Sequence, residues 1–142
     1  MPKINGVHVK QTVVSGSGNG GTALTVAVTD MDFTEVSDST GAWDGTTYTV
    51  QNSNSIINIV GQMSLTTNAS RFVGIYKNGL VLRDDICNFP GSTSTHSFNF
   101  QIAPDEISEG DSLSIRIATG SGGGTLNNIS AHYITIVETQ IL

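Results

Sequence analysis

The chain has 142 residues, six basic and twelve acidic, for a net charge of −6. That length suits one domain with a sizeable core, and the scattered bases (Lys3, Lys10, Arg71, Lys77, Arg83, Arg116) exclude an electrostatic footprint for nucleic acid. Hydrophobic residues are 37%, charged residues 13% and glycines 16, and no apolar run approaches the length of a membrane span.

Few charges, many β-branched residues and many turn formers point to an all-β domain. Cys87 is the only cysteine, so the core or oligomerisation, rather than an intrachain disulfide, must hold the fold. The opening residues, MPKINGVHVKQ, lack the apolar core of a secretion signal.

Residues 1–21 read as an extended arm. Lys3, Ile4, Val7, Val9, Val13 and Val14 are its candidate contact residues, and SGSGNGG at 15–21 is its flexible joint. Such an arm adds a strand to a neighbouring chain. The body is then residues 22–142. Residues 22–29 form its first strand, with Leu24, Val26 and Val28 on one face and the small Ala23, Thr25 and Ala27 on the other. Residues 30–39 read as an irregular edge segment. A glycine-punctuated turn at 41–46 leads into a strand carrying Tyr48 and Val50.

Residues 55–66 have clean period-two patterning. Ile57, Ile59, Met63 and Leu65 face the core, and Gly61 in that row marks a bulge or a close backbone approach. Residues 71–77 form a strand, Asn78-Gly79 a tight turn and Leu80 and Leu82 the return. Phe72, Gly74 and Tyr76 alternate with Val73 and Ile75, so both faces are largely apolar. One face of a sandwich strand is normally wet, so a second copy of the chain is a candidate cover. Alternation alone leaves open which row faces the core.

Residues 83–94 read as loop-rich. Phe98, Phe100 and Ile102 point inward from the next strand, an acidic turn follows at 103–110, and Leu113, Ile115 and Ile117 point inward from the one after. A flexible loop at 119–124 precedes the last strand, 130–142, where His132, Ile134 and Ile136 alternate with Tyr133, Thr135 and Val137. This strand too is apolar on both faces. Short strands separated by turn signals indicate an antiparallel sandwich or barrel.

Catalytic chemistry finds no constellation. His8, His96 and His132 have no cysteine or acidic residue at metal-ligand spacing, and no serine lies in a nucleophile elbow. Cys87 reads as a small buried hydrophobe. The acidic pairs Asp30/Asp32 and Asp84/Asp85 lie in no contiguous calcium loop. Trp43 and Tyr48 suit core packing better than a sugar platform. The expectation is a non-enzyme with no cofactor and no metal.

The order of these features resembles the jelly roll shared by tumour necrosis factor and the complement globular heads. The residues that carry the likeness are Trp43 to Val50 leading into the strand at 55–66, then Ile75-Tyr76-Lys77-Asn78-Gly79, and Phe98 to Ile102. Gly110-Asp111-Ser112-Leu113-Ser114-Ile115 and His132-Tyr133-Ile134-Thr135-Ile136 complete it. The chain is also similar to phage head decorations and fibre tips of this fold. The resemblance implies an antiparallel two-sheet jelly-roll sandwich and a homotrimer. It implies that residues 22–29, 71–77 and 130–142 share the inner sheet near the three-fold axis. The trimer interface expected from it is Ala23, Ala27, Phe72, Val73, Tyr76, His132, Tyr133 and Thr135.

The function expected is that of a phage virion structural protein, made in the host cytoplasm and located on the capsid surface. It would be a homotrimeric cement protein whose arm grips the major capsid protein, with no nucleic acid and no membrane partner. The alternative is the receptor-binding tip of a fibre or tail, with loops 40–46, 84–94 and 120–128 holding a glycan.

Overall fold

The computed structural model describes residues 3–4, 7–18, 23–24, 29–30, 33–38, 40–67, 71–89, 93–118, 124–126 and 133–141. In chain order the strands are β1 (Lys3–Ile4), β2 (Val7–Gly18), β3 (Ala23–Leu24), β4 (Thr29–Asp30), β5 (Phe33–Asp38), β6 (Thr47–Thr49) and β7 (Ser55–Thr67). They continue as β8 (Arg71–Lys77), β9 (Leu80–Phe89), β10 (Thr93–Ile102), β11 (Ser112–Ala118), β12 (Gly124–Leu126) and β13 (Tyr133–Ile141). One 3-10 turn, Pro104–Glu106, interrupts them, and no α-helix occurs among the described residues.

Two antiparallel sheets result, which decides for a sandwich where the alternating patterns and turn signals left sandwich or barrel open. In the larger, β2 lies beside β13, β13 beside β7 and β7 beside β10; β1 and β5 flank the far side of β2, and β12 and β3 extend the sheet from β7. The smaller sheet has β11 at its centre, with β4 and β6 on one side and β8 and then β9 on the other. The core lies between them. From the larger sheet it takes Val14, Ile57, Ile59, Met63, Leu65, Phe98, Ile102, Ile134 and Ile136; from the smaller, Tyr48, Val73, Ile75, Leu113, Ile115 and Ile117. Each such aliphatic or aromatic side chain contributes about 1.5–3 kcal/mol through burial.

The β8–β9 hairpin turns as its residues require. Asn78 and Gly79 have φ of 51° and 80°, the pair of positive values that a two-residue turn of this twist demands. At Gly61 the structure decides between bulge and close approach. The register of β7 against both β10 and β13 runs through Gly61 without a shift. A Cβ there would lie 2.5 Å from Phe98 Cζ and 2.6 Å from the Tyr133 carbonyl oxygen. The second obstacle is backbone and cannot swing aside. Gly61→Ala is expected to cost about 2–3 kcal/mol, read as a lowered denaturant midpoint with an unchanged slope.

Several expectations are corrected. Residues 33–38 are a strand, because β5 pairs with β2 from Val14↔Asp38 to Gly18↔Phe33. Residues 83–89 continue β9. Register shifts against β8, between Val73 and Ile75 and between Ile75 and Tyr76, break the alternation that would have revealed them. Residues 7–18 do not stand apart from the body. They form a twelve-residue strand paired with β13 along nine positions, and Val14 is buried in the core. A domain boundary at residue 21 therefore cuts through a sheet. Strands 71–77 and 133–141 lie in different sheets, so they do not build one wall.

Candidate self-association face

The outer face of the larger sheet is built by register. Val13, Val137, Asn58 and Gln101 form one row across β2, β13, β7 and β10. Ser15, Thr135, Val60 and Asn99 form the next, and Tyr133, Gln62 and Ser97 a third. Gln11, Thr139 and Ile56 extend it on the other side. None of these residues is charged, in a chain with eighteen charged side chains (six basic plus twelve acidic). Val13 is 47% exposed, and Val60 and Tyr133 are each 39% exposed.

The polar members are partly spoken for across the strands. Gln11 Nε2 donates to Thr139 Oγ1 at 3.2 Å, Gln101 Nε2 donates to Asn58 Oδ1 at 3.3 Å, and the Ser15 and Thr135 hydroxyls lie 3.4 Å apart. Depletion of charge with exposed valine and tyrosine is the composition of an interface core.

Of the expected interface residues, Tyr133 and Thr135 lie on this face, and so does Val13 from the expected arm. Val73 does not; it is buried between the sheets, because the Val73/Ile75 row of β8 faces the core. Tyr76 lies on the smaller sheet, with the Arg116 guanidinium 4.7 Å over its ring. Ala23 and Phe72 belong to β3 and β8. Ala27 and His132 lie outside the described residues. Lys3 and Ile4 form β1 at one end of the strand order, and Val7 and Val9 begin β2.

Behind this face sits a group missed by the sequence reading. Glu138 is fully buried in β13 and accepts five hydrogen bonds. Its Oε2 receives Tyr48 Oη at 2.6 Å and the Gln51 amide at 2.8 Å. Its Oε1 receives the Asn52 amide at 2.7 Å, Asn52 Nδ2 at 3.1 Å and Ser55 Oγ at 2.9 Å. Burial and the adjacent carboxylate push the Tyr48 hydroxyl pKa up, so Tyr48 stays a donor. The available signal was parity. Glu138 continues the Ile134/Ile136 row, so an acid occupies a core position and must find donors there.

Other carboxylates organise turns. Burial pushes the Asp38 pKa up, but hydrogen bonds from the Thr40, Gly41 and Trp43 amides and the Thr40 hydroxyl outweigh it, holding it below the ordinary value. Asp44 behaves alike, with Thr46 and Thr47 as donors. Glu106 is lowered by the Ala103 amide and by its ion pair with Arg83. Asp111 is lowered by Asn78 and the Ser108 amide, against burial. Carboxylates lowered in the folded state stabilise it above their unfolded pKa, and that stability is lost as pH falls through the folded value. The denaturant midpoint is expected to hold from neutrality to about pH 5 and to fall below about pH 4.

Trp43 and Tyr48 are both buried and joined by a β-bridge, so they form core and not a sugar platform. Among the described residues no group of three or more His, Cys, Asp or Glu side chains converges as a metal site would need. No helix among them is long and apolar enough to cross a membrane.

This architecture is that of the tumour necrosis factor and complement globular-head jelly roll. Murine APRIL at pH 8.0 superposes with a TM-score of 0.66 at 13% identity, covering 91% of this chain and 99% of that one. The globular domain of zebrafish complement 1qA protein superposes with a TM-score of 0.59 at 12% identity, covering 94% and 97%. PRD1 vertex protein P5 superposes with a TM-score of 0.50 at 14% identity, covering 97% and 100%. No family model and no curated protein sequence matches the chain.

Proposed function

We propose that the protein is a structural component of a phage particle, a homotrimer that decorates and cements the outside of a capsid. The observation that carries this reading is the uncharged outer face of the larger sheet, with Val13, Val60 and Tyr133 open to solvent in the single chain. A face of this composition is covered in the working molecule, and a second and third copy cover it symmetrically. The jelly roll shared with a phage vertex protein supports a place on a virion.

Within this reading the chain at 7–18 stays in the body as β2. Lys3, Ile4, Val7 and Val9 then meet the major capsid protein from β1 and the start of β2. A detached arm of residues 1–14 would have to pull Val14 out of the core. Sedimentation of the purified chain, alone and mixed with shells of the major capsid protein, tests the proposal. Trimers that co-sediment with shells are expected. A monomer at micromolar concentration, or trimers that stay in the supernatant, would overturn it.

A further inference from the structure

Of the three Asn-Gly pairs in the chain, at 5–6, 19–20 and 78–79, only Asn78-Gly79 lies among the described residues. Asparagine before glycine is open to spontaneous loss of its amide, because glycine leaves the next backbone nitrogen unshielded. That nitrogen attacks the asparagine Cγ. The Cγ–Nδ2 bond breaks, ammonia leaves with the proton of the attacking nitrogen, and a five-membered succinimide closes. Water then opens the ring to aspartate or isoaspartate. Water is the only co-reactant, and both Asn78 and Gly79 are exposed to it.

The fold restrains the attack. Asn78 Nδ2 donates to Asp111 Oδ1 at 2.7 Å, and Asn78 Oδ1 accepts from the Ser112 amide at 2.9 Å and the Ser112 hydroxyl at 3.2 Å. The Asn78 backbone amide donates to the Ser112 carbonyl at 2.9 Å. Next to it, Lys77 Nζ donates to the Glu106 carbonyl at 2.7 Å. Both ends of the side-chain amide are thus engaged by the residues that open β11. Swinging Cγ onto the Gly79 nitrogen breaks those side-chain bonds together.

We propose that Asn78 is a latent deamidation site, closed while the β8–β9 hairpin is bound to β11 and opened when its tip lifts from Asp111 and Ser112, and that conversion then frees the tip irreversibly. The irreversibility comes from Asp111. After conversion a carboxylate at 78 faces the Asp111 carboxylate where a donor stood 2.7 Å away, and like charges so close repel. The Asn78 amide is also the main cause that holds the Asp111 pKa below its ordinary value. The cation acting on Asp111 is Lys77, whose ammonium is already bonded to the Glu106 carbonyl. Isoaspartate further lengthens the backbone of a turn that admits two residues.

The test follows conversion by mass in the full-length protein, held at mildly alkaline pH either folded or unfolded in guanidinium. Trypsin cleaves after Lys77 and Arg83, so the peptide 78–83 contains Asn78 and neither Asn5 nor Asn19. Conversion at Asn78 is expected to be slower by about tenfold or more in the folded protein. Asp111→Ala, shown by circular dichroism to be folded, should convert faster than the wild type. Asp111→Asn keeps an acceptor for Nδ2 and should convert as slowly as the wild type. Equal rates in folded and unfolded wild type, or no conversion in either, overturn the gate; an Asp111→Ala rate equal to that of the wild type overturns the clamp. Asn78→Asp reproduces the aspartate product and should lower the denaturant midpoint. Adding Asp111→Asn should restore it, because an amide at 111 then donates to the carboxylate at 78. An unchanged midpoint, or a loss that Asp111→Asn does not repair, overturns the release of the tip.

Discussion

Glu138→Ala is expected to lower the unfolding free energy by about 3–5 kcal/mol, because it strands buried donors rather than merely losing a contact. Five donors from Tyr48, Gln51, Asn52 and Ser55 converge on that one carboxylate. The alanine leaves those donors around a space that holds no acceptor from the chain. For a chain of this size the thermal midpoint should drop by about 10 °C or more. Glu138→Gln keeps one acceptor oxygen and turns an amide NH2 toward the other donors, so its loss should be smaller. Tyr48→Phe should cost about 1–2 kcal/mol. A double-mutant cycle of Tyr48→Phe with Glu138→Ala should show strong coupling, because the phenol and the carboxylate satisfy each other. Additive losses in chemical denaturation would mean that the carboxylate does not hold the 48–55 segment against β13.

Val60→Asp is expected to raise the dissociation constant of the oligomer by about 100-fold or more while leaving each chain folded. Val60 lies in the middle of the uncharged face, paired with Thr135 on one side and Asn99 on the other. In the single chain it is part-exposed, so an aspartate there keeps its water. In an oligomer that covers the face, each copy buries one carboxylate with no cation opposite it. Thr49→Asp, at an exposed position of the smaller sheet, is the matched control and should leave association unchanged. Sedimentation equilibrium reads both. If Val60→Asp associates as the wild type does, the outer face of the larger sheet is not where copies meet.

Much of the fold is legible in local pattern. The alternation in β7 assigned Ile57, Ile59, Met63 and Leu65 to the core, the alternation in β11 assigned Leu113, Ile115 and Ile117, and Asn78-Gly79 announced its turn; all are found so. Period two is a property of one strand and needs no knowledge of its neighbours. The same pattern in β8 showed two apolar faces but not which one was inward. Residue Val73 therefore entered the expected interface and was found in the core.

What alternation does not carry is the identity of the neighbouring strand. The valines at 7–14 look like a free arm until β13, more than a hundred residues later, pairs with them. The bulges opposite Val73 to Tyr76 hide β9 in the same way, since one extra residue reverses the parity of everything beyond it.

The sequence by itself determined that this chain is an all-β protein with a particular set of inward rows, because side-chain direction along a strand is local. Only the tertiary structure decided which rows lie in which sheet, that 7–18 belongs to the body, and that Glu138 is a buried ligand of its own chain. The donors around Glu138 come from 83 to 90 residues away, the partner of 7–18 from further still, and no local period encodes such distances.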